Sequence, residues 1–253
     1  MTSHDTLQIV GPKDQFPKVT LVEPVKSWYF LLALEVDRRP PFGFFIQSRR
    51  KRQLIDGLKI LVSGLHEDGG VIDSSIFKAL LIPPGKGAFL KKRPNVEIAK
   101  YDVVLLVEFA DEAELKRITA TKEWTEAVAA ASNTARKTMQ ISASNVRRIG
   151  AVDHSRDGVF LFNYFYADHL QTNLDVWQYT AGWFQDQTAL DNSTVLLPKE
   201  GTDVAYTIIN HCRWDGLGDI LPALLFNKTF RPFVLANFEK NNTAAMPILY
   251  RLA

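Results

Sequence analysis

Asn210 and Trp214 stand four residues apart in the strand-like run Ala205–Trp214. Residues i and i+4 of a strand share a face, so both side chains can point into one pocket. An amide on a buried strand needs hydrogen-bond partners, from backbone or from a ligand. That makes Asn210 the most informative polar residue of the chain. Tyr206 falls on the same alternation and is a second candidate for that pocket. Tyr250, in the last apolar run, has a phenol proton to donate. Asn163 alternates with Leu161 and Phe165 in Val159–Tyr166, which reads as a cavity-facing polar residue. His211 and Arg213 are expected on the opposite face, toward helices or solvent. Tyr164 and Tyr166 are expected opposite Asn163, under the helices. A tryptophan on an apolar strand is most often core, and by itself Trp214 reads so. Trp177 and Trp183 read as core or rim, and His169 as an exposed helix-surface residue. No chemical role is expected of His4, His66 or His154, which lie in polar ends or loops.

The elements that must position these groups form a repeat. In the first half, strand-like Ser27–Glu35 is followed by a helix over Arg49–Leu65 with Leu54, Leu58, Leu61 and Leu65 on one stripe. Strands then follow at Val71–Ile82 and Tyr101–Phe109, a helix at Asp111–Ala131 broken near Thr119–Thr121, and a strand at Thr138–Ile149. The second half repeats the order with a strand at Val159–Tyr166, a helix over Asp168–Gly182, and strands at Asn192–Pro198 and Ala205–Trp214. A helix over Leu217–Phe226, a shorter helical piece at Asn227–Asn237 interrupted by Pro232, and a strand at Met246–Tyr250 complete it. Each half is βαββαβ, a ferredoxin-like module, and the class is α+β. Two sheets covered by helices on one side leave two bare faces, which must bury each other. The expected division is an N-terminal arm at 1–18, a first module at 19–150, a linker at 151–157 and a second module at 158–253. The arm, with Gly11, Pro12 and Pro17, reads as loosely ordered.

The repeat also exposes a difference. Phe109 and Trp214 end equivalent strands, and Leu105 stands where the second module has Asn210. On this reading the first pocket has lost its polar groups and serves as scaffold.

Bulk properties narrow the function classes. The 253 residues are 46% hydrophobic and 23% charged, with 30 basic against 28 acidic side chains. A net charge of +2 supplies no field that would select nucleic acid. The runs Arg49–Arg52 and Lys91–Arg93 read as solvated ends. One cysteine, Cys212, excludes an intrachain disulfide and a cysteine-based zinc site. There is no histidine pair at ligand spacing and no dinucleotide fingerprint, and Gly85-Lys-Gly87 lacks the spacing of a P-loop. No metal, haem or flavin is expected. Without a signal-like N-terminus or a run near the ~20 residues of a membrane span, a cytoplasmic protein without membrane contact is expected.

The residues Ala181-Gly-Trp-Phe184, Asn210-His-Cys-Arg-Trp214 and the Trp-Asp start of the next helix resemble the antibiotic biosynthesis monooxygenase-like modules of the dimeric α/β barrel superfamily. The resemblance covers roughly residues 158–253; the first half matches in element order and in Phe109–Trp124. It implies that a tandem duplication builds within one chain the barrel that single modules build by dimerising. The superfamily includes cofactor-independent oxygenases of polycyclic phenols in aromatic polyketide pathways, whose Asn and Trp line the cavity. By this resemblance, Asn210 and Trp214 are the catalytic pair. The amide stabilises a phenol or developing oxyanion, and the indole orients the ring or donates its N–H. Asn163, Tyr206, Tyr250 and Arg231 would bind a hydrophobic aromatic substrate, and the barrel exterior could pair a homodimer. The chain departs from the pattern at Ile220 and Leu221, where the studied oxygenases carry a Tyr. A haem-degrading branch uses an axial His where this chain has Phe233–Leu235. The competing expectation is a barrel that binds or scaffolds without catalysis, or one that supports cyclisation, dehydration or isomerisation.

Overall fold

The computed structural model describes residues 6–37, 47–65, 67–83 and 88–253. His4, His66 and Gly85-Lys-Gly87 lie outside them. Eight strands alternate with helices in two βαββαβ halves. The first contains β1 (Trp28–Glu35), α1 (Arg49–Leu65), β2 (Val71–Leu81), β3 (Val103–Phe109), α2 (Glu112–Thr119), α3 (Lys122–Thr134) and β4 (Lys137–Gly150). The second contains β5 (Val159–Ala167), α4 (Leu170–Thr188), β6 (Ser193–Pro198), β7 (Ile208–Trp214), α5 (Leu217–Phe226), α6 (Ala236–Lys240) and β8 (Thr243–Leu252). A single π-helical turn, Phe230–Leu235, leads into α6.

The strands close into one antiparallel barrel in the order β1-β3-β2-β8-β5-β7-β6-β4. The two sheets do not merely face each other. They are hydrogen-bonded at both seams, β2 to β8 and β4 to β6, which leaves no sheet edge unpaired. Alternation along each strand then separates two apolar layers. Tyr29, Leu31, Ala33, Phe77, Phe160, Phe162 and Tyr250 fill the barrel. Phe30, Leu32, Leu34, Leu105 and Phe109 pack under α1 to α3, and Leu161, Phe165, Ile208 and Trp214 under the second set of helices.

The break between α2 and α3 has a local cause. Thr121 is extended and its hydroxyl accepts from the Trp124 amide at 3.3 Å, so a second helix is capped where the first stops. Trp124 then packs edge-on to Phe30 with ring centroids 4.9 Å apart.

Two expectations are corrected here. Residues 6–18 are a docked arm. Asn241 and Asn237 each receive a backbone N–H from it, Gln8 and Val10 respectively, both at 2.8 Å. Both amides return a hydrogen bond to the same residues' carbonyls. Phe16 also packs edge-on to Phe233 at 4.6 Å. The arm crosses α4 at Gly182, where a Cβ would sit 1.9 Å from the Pro17 carbonyl oxygen. Gly182 is therefore the crossing point of arm and helix. Gly182→Ala should shift or detach the arm and cost about 1–3 kcal/mol, as overpacking does; a melting temperature equal to the parent's would refute this contact. The second correction is Lys51. Arg49, Arg50 and Arg52 are exposed as expected, but Lys51 is 1% exposed and pairs with the fully buried Asp102 at 2.9 Å.

Candidate functional site

Asn163 and Asn210 face each other as a cross-strand pair of β5 and β7. In the first module the matching cross-strand pair is Leu32 with Leu105. Val159 opposite Trp214 is likewise matched by Trp28 opposite Phe109. The residue-for-residue contrast between modules therefore holds in the strand register.

The face that carries these groups differs from expectation. Asn163, Asn210 and Trp214 look outward from the barrel, toward α4, α5, the π-helical turn and α6. His211 and Tyr164 look into the barrel. The reason is that the outer face of β5 and β7 is roofed by apolar helices and the inner face by the other sheet. Both are buried, and alternation alone cannot tell them apart. Tyr206 is not on the face of Asn210. Regular pairing of β7 begins at Ile208, so the period of two does not extend back to Tyr206. It packs inside the barrel, its hydroxyl 3.4 Å from that of Tyr101. Tyr250 is also interior, its hydroxyl 3.3 Å from Tyr164 and donating to the Tyr101 carbonyl at 2.8 Å. Arg231 is exposed on the π-helical turn. Of the six site candidates the structure brings three together: Asn163, Asn210 and Trp214.

Asn163 and Trp214 border two adjoining cavities of about 30 Å3 each, both also lined by Leu161, Phe184 and Phe238, and Asn210 borders one of them. Each has room for about one water molecule. The Asn163 Oδ1 is buried without a hydrogen-bond partner. Asn210 Oδ1 accepts from the Ser193 hydroxyl at 2.5 Å. Its Nδ2 has only the Cys212 sulfur, at 4.0 Å, so an N–H is left for a ligand. The Trp214 indole N–H does not reach the cavity; it donates to Thr188 Oγ1 at 3.0 Å, which ties β7 to the end of α4. Trp214 thus contributes a wall and no donor. Burial pushes the Cys212 thiol far up, and Thr180 is committed to backbone carbonyls of its own helix. No carboxylate or imidazole lines either cavity. The arrangement can hydrogen-bond an oxygen-bearing ring and hold it against apolar walls, and it contains no general base.

Sequence reasoning missed a second cluster inside the barrel. His211 Nδ1 lies 3.0 Å from the Leu161 carbonyl, His154 Nε2 is 2.8 Å from His211 Nε2, and His154 Nδ1 is 2.6 Å from Asp73 Oδ2. A carbonyl only accepts, so His211 Nδ1 donates and its Nε2 accepts from His154. The chain of contacts clamps the linker to the barrel. Nothing in the spacing of Asp73, His154 and His211 announces it. Burial first, then the neighbouring His154, holds the His211 pKa well below its usual 6.5. The unfolded chain therefore takes up a proton below about pH 6.5 that native His211 refuses. Stability is present above that pH and is lost as pH falls, by up to about 1.4 kcal/mol per pH unit. Denaturant unfolding at pH 5, 6 and 7 should show a shallower acid slope for His211→Gln than for the parent. An unchanged slope would contradict the assignment.

Among the described residues no group of three His, Cys, Asp or Glu could hold a metal ion, and no helix is long and apolar enough to cross a membrane. No family model and no curated protein matches the sequence. Solved structures do. An anthrone oxidase-like protein matches at 12% identity with a TM-score of 0.65, covering 90% of this chain and 92% of that one. The chain has the dimeric α/β barrel fold. A proposed monooxygenase from Fusobacterium nucleatum subsp. nucleatum shares the barrel at 8% identity and a TM-score of 0.53, with 89% and 91% covered. At these identities the likeness shows the fold alone.

Proposed function

We propose that the second module binds a flat polycyclic phenol beneath its helices and oxygenates it without a cofactor. The carrying observation is the Asn163–Asn210 pair, two buried amides with an orphan carbonyl and an available N–H in a cavity whose other hydroxyls, Thr180 and Ser193, are already hydrogen-bonded. Buried polar groups are normally satisfied, and a ligand oxygen is the partner this pair lacks. Bound phenolate would accept from Asn210 Nδ2. Its activated ring methylene gives up a proton to solvent as the substrate ionises; the carbanion so formed adds dioxygen, and a solvent proton converts the peroxide anion to a hydroperoxide. Loss of water leaves a carbonyl, with one oxygen atom in the product and the other in water. Because the cavity offers no base, the substrate's own ionisation must supply the anion, so the reaction should favour acidic phenols.

The cover is closed. A three-ring molecule needs α5 and the π-helical turn to move, since Ile220, Leu224, Phe230 and Val234 roof one of the cavities. That same closure, with Trp214 tied to Thr188, favours the second reading, a barrel that has kept the fold and lost the chemistry. Dioxygen uptake with a panel of polycyclic phenols, in the presence of a chelator, separates them. Saturable uptake abolished by Asn210→Ala supports the oxygenase; no uptake with any phenol supports the scaffold. Pairing of two copies through the barrel exterior, where Phe226 is 77% exposed on α5, is a further part of this proposal and is read by sedimentation.

A further inference from the structure

At one end of the barrel interior, away from Asn210, lies a larger cavity of about 200 Å3. Its polar wall is made by Tyr29, Glu108, Arg148, His154, Thr194 and His211. Arg148 reaches it through a register shift in β4. Between Asn145 and Arg147 the pairing with β6 slips, as at a β-bulge, which re-aims the residues that follow. Arg147 turns outward to Asp175 at 2.8 Å, and the next residue turns in.

The charges at this end are left over. Arg148 Nε is buried without a hydrogen-bond partner, and Arg148 makes no ion pair among the described residues. Glu108 accepts the Ser27 hydroxyl at 2.5 Å and has no cationic partner among the described residues. The imidazoles of His154 and His211 are already used by each other, by Asp73 and by Leu161, so they form wall and not donors. The cavity therefore carries one positive and one negative group that do not pair with each other, the carboxylate being hydrogen-bonded only by the neutral Ser27 and Tyr29 hydroxyls. Leu106, Leu196 and Val152 supply apolar surface beside them.

We infer that this cavity binds a small zwitterion, an aliphatic α-amino acid whose carboxylate meets the Arg148 guanidinium and whose ammonium meets Glu108. A simple anion would gain Arg148 but face Glu108, and a simple amine would meet the reverse. Only a molecule with both charges satisfies both groups, and a guanidinium is suited to a carboxylate. The volume equals roughly seven waters, which suits an aliphatic side chain lying on Leu106 and Leu196.

The test is calorimetric titration of the full chain at neutral pH with leucine, 4-methylpentanoate and 3-methylbutylamine. Leucine should saturate, and each half-molecule should bind at least about ten-fold more weakly. Arg148→Gln and Glu108→Gln should each weaken leucine at least about ten-fold with unchanged melting temperatures, since neither residue is held in an ion pair. Because Asn210 lies elsewhere, Asn210→Ala should leave leucine binding intact, which separates this proposal from the oxygenase reading. Equal affinity for the half-molecules, absence of saturation by leucine, or full affinity in both variants would overturn the inference.

Discussion

Asn210→Ala is expected to lower turnover of a polycyclic phenol by about 100- to 1000-fold, the usual cost of one oxyanion donor. The side chain is 5% exposed and its Oδ1 is fixed by Ser193. The amide N–H is therefore oriented before a ligand arrives, with only a sulfur 4.0 Å away to compete for it. Such a fixed donor stabilises charge that develops in the reaction at little cost of reorganisation. Leu105→Val, at the matching position of the first module, should leave turnover nearly unchanged, because that position is packed in a purely apolar layer. Steady-state rates with melting temperature as control check both. Equal turnover of Asn210→Ala and parent would remove the catalytic assignment.

The largest stability effect is expected from Asp102→Ala, about 3–5 kcal/mol, because the buried Lys51 would lose this buried carboxylate. Asp102 also accepts the Val36 amide at 2.6 Å, and that backbone group would lose its partner too. In a chain of this length the loss corresponds to a fall of roughly 6–20 °C in melting temperature. Replacing both residues, Lys51→Met with Asp102→Ala, should recover part of the loss, since the buried ammonium is removed together with its carboxylate. A melting temperature for Asp102→Ala within 2 °C of the parent would show that the pair carries little of the fold.

The barrel was legible because its cues are periodic. Asn163 and Asn210 were legible too, since polar residues stand out on apolar strands. Their direction was not. Strands buried on both faces give the same apolar run whichever face looks inward, so His211 and Asn210 exchanged sides between expectation and structure. Tyr206 was misread because alternation was carried across the irregular residues before Ile208. Tyr250 shares its interior face with Tyr164, a contact 86 residues apart in sequence. Lys51 looked solvated because three exposed arginines flank it, and only the topology brings Asp102 beneath it. The arm was read as loose from its prolines, whereas Asn237 and Asn241, more than 200 residues away, hold its backbone. Such long-range polar contacts have no local signature.

The five tryptophans offer the most direct test of where a ligand binds. Trp177 and Trp214 line the cavity beside Asn210, while Trp28 and Trp124 pack in the first module. With 5-fluorotryptophan incorporated and each resonance assigned by a Trp→Phe variant, a polycyclic phenol can be titrated and followed by fluorine NMR. The Trp177 and Trp214 signals should shift saturably while those of Trp28 and Trp124 stay in place. Shifts confined to Trp28 and Trp124, or no shift at any concentration, would contradict a ligand site under the helices of the second module.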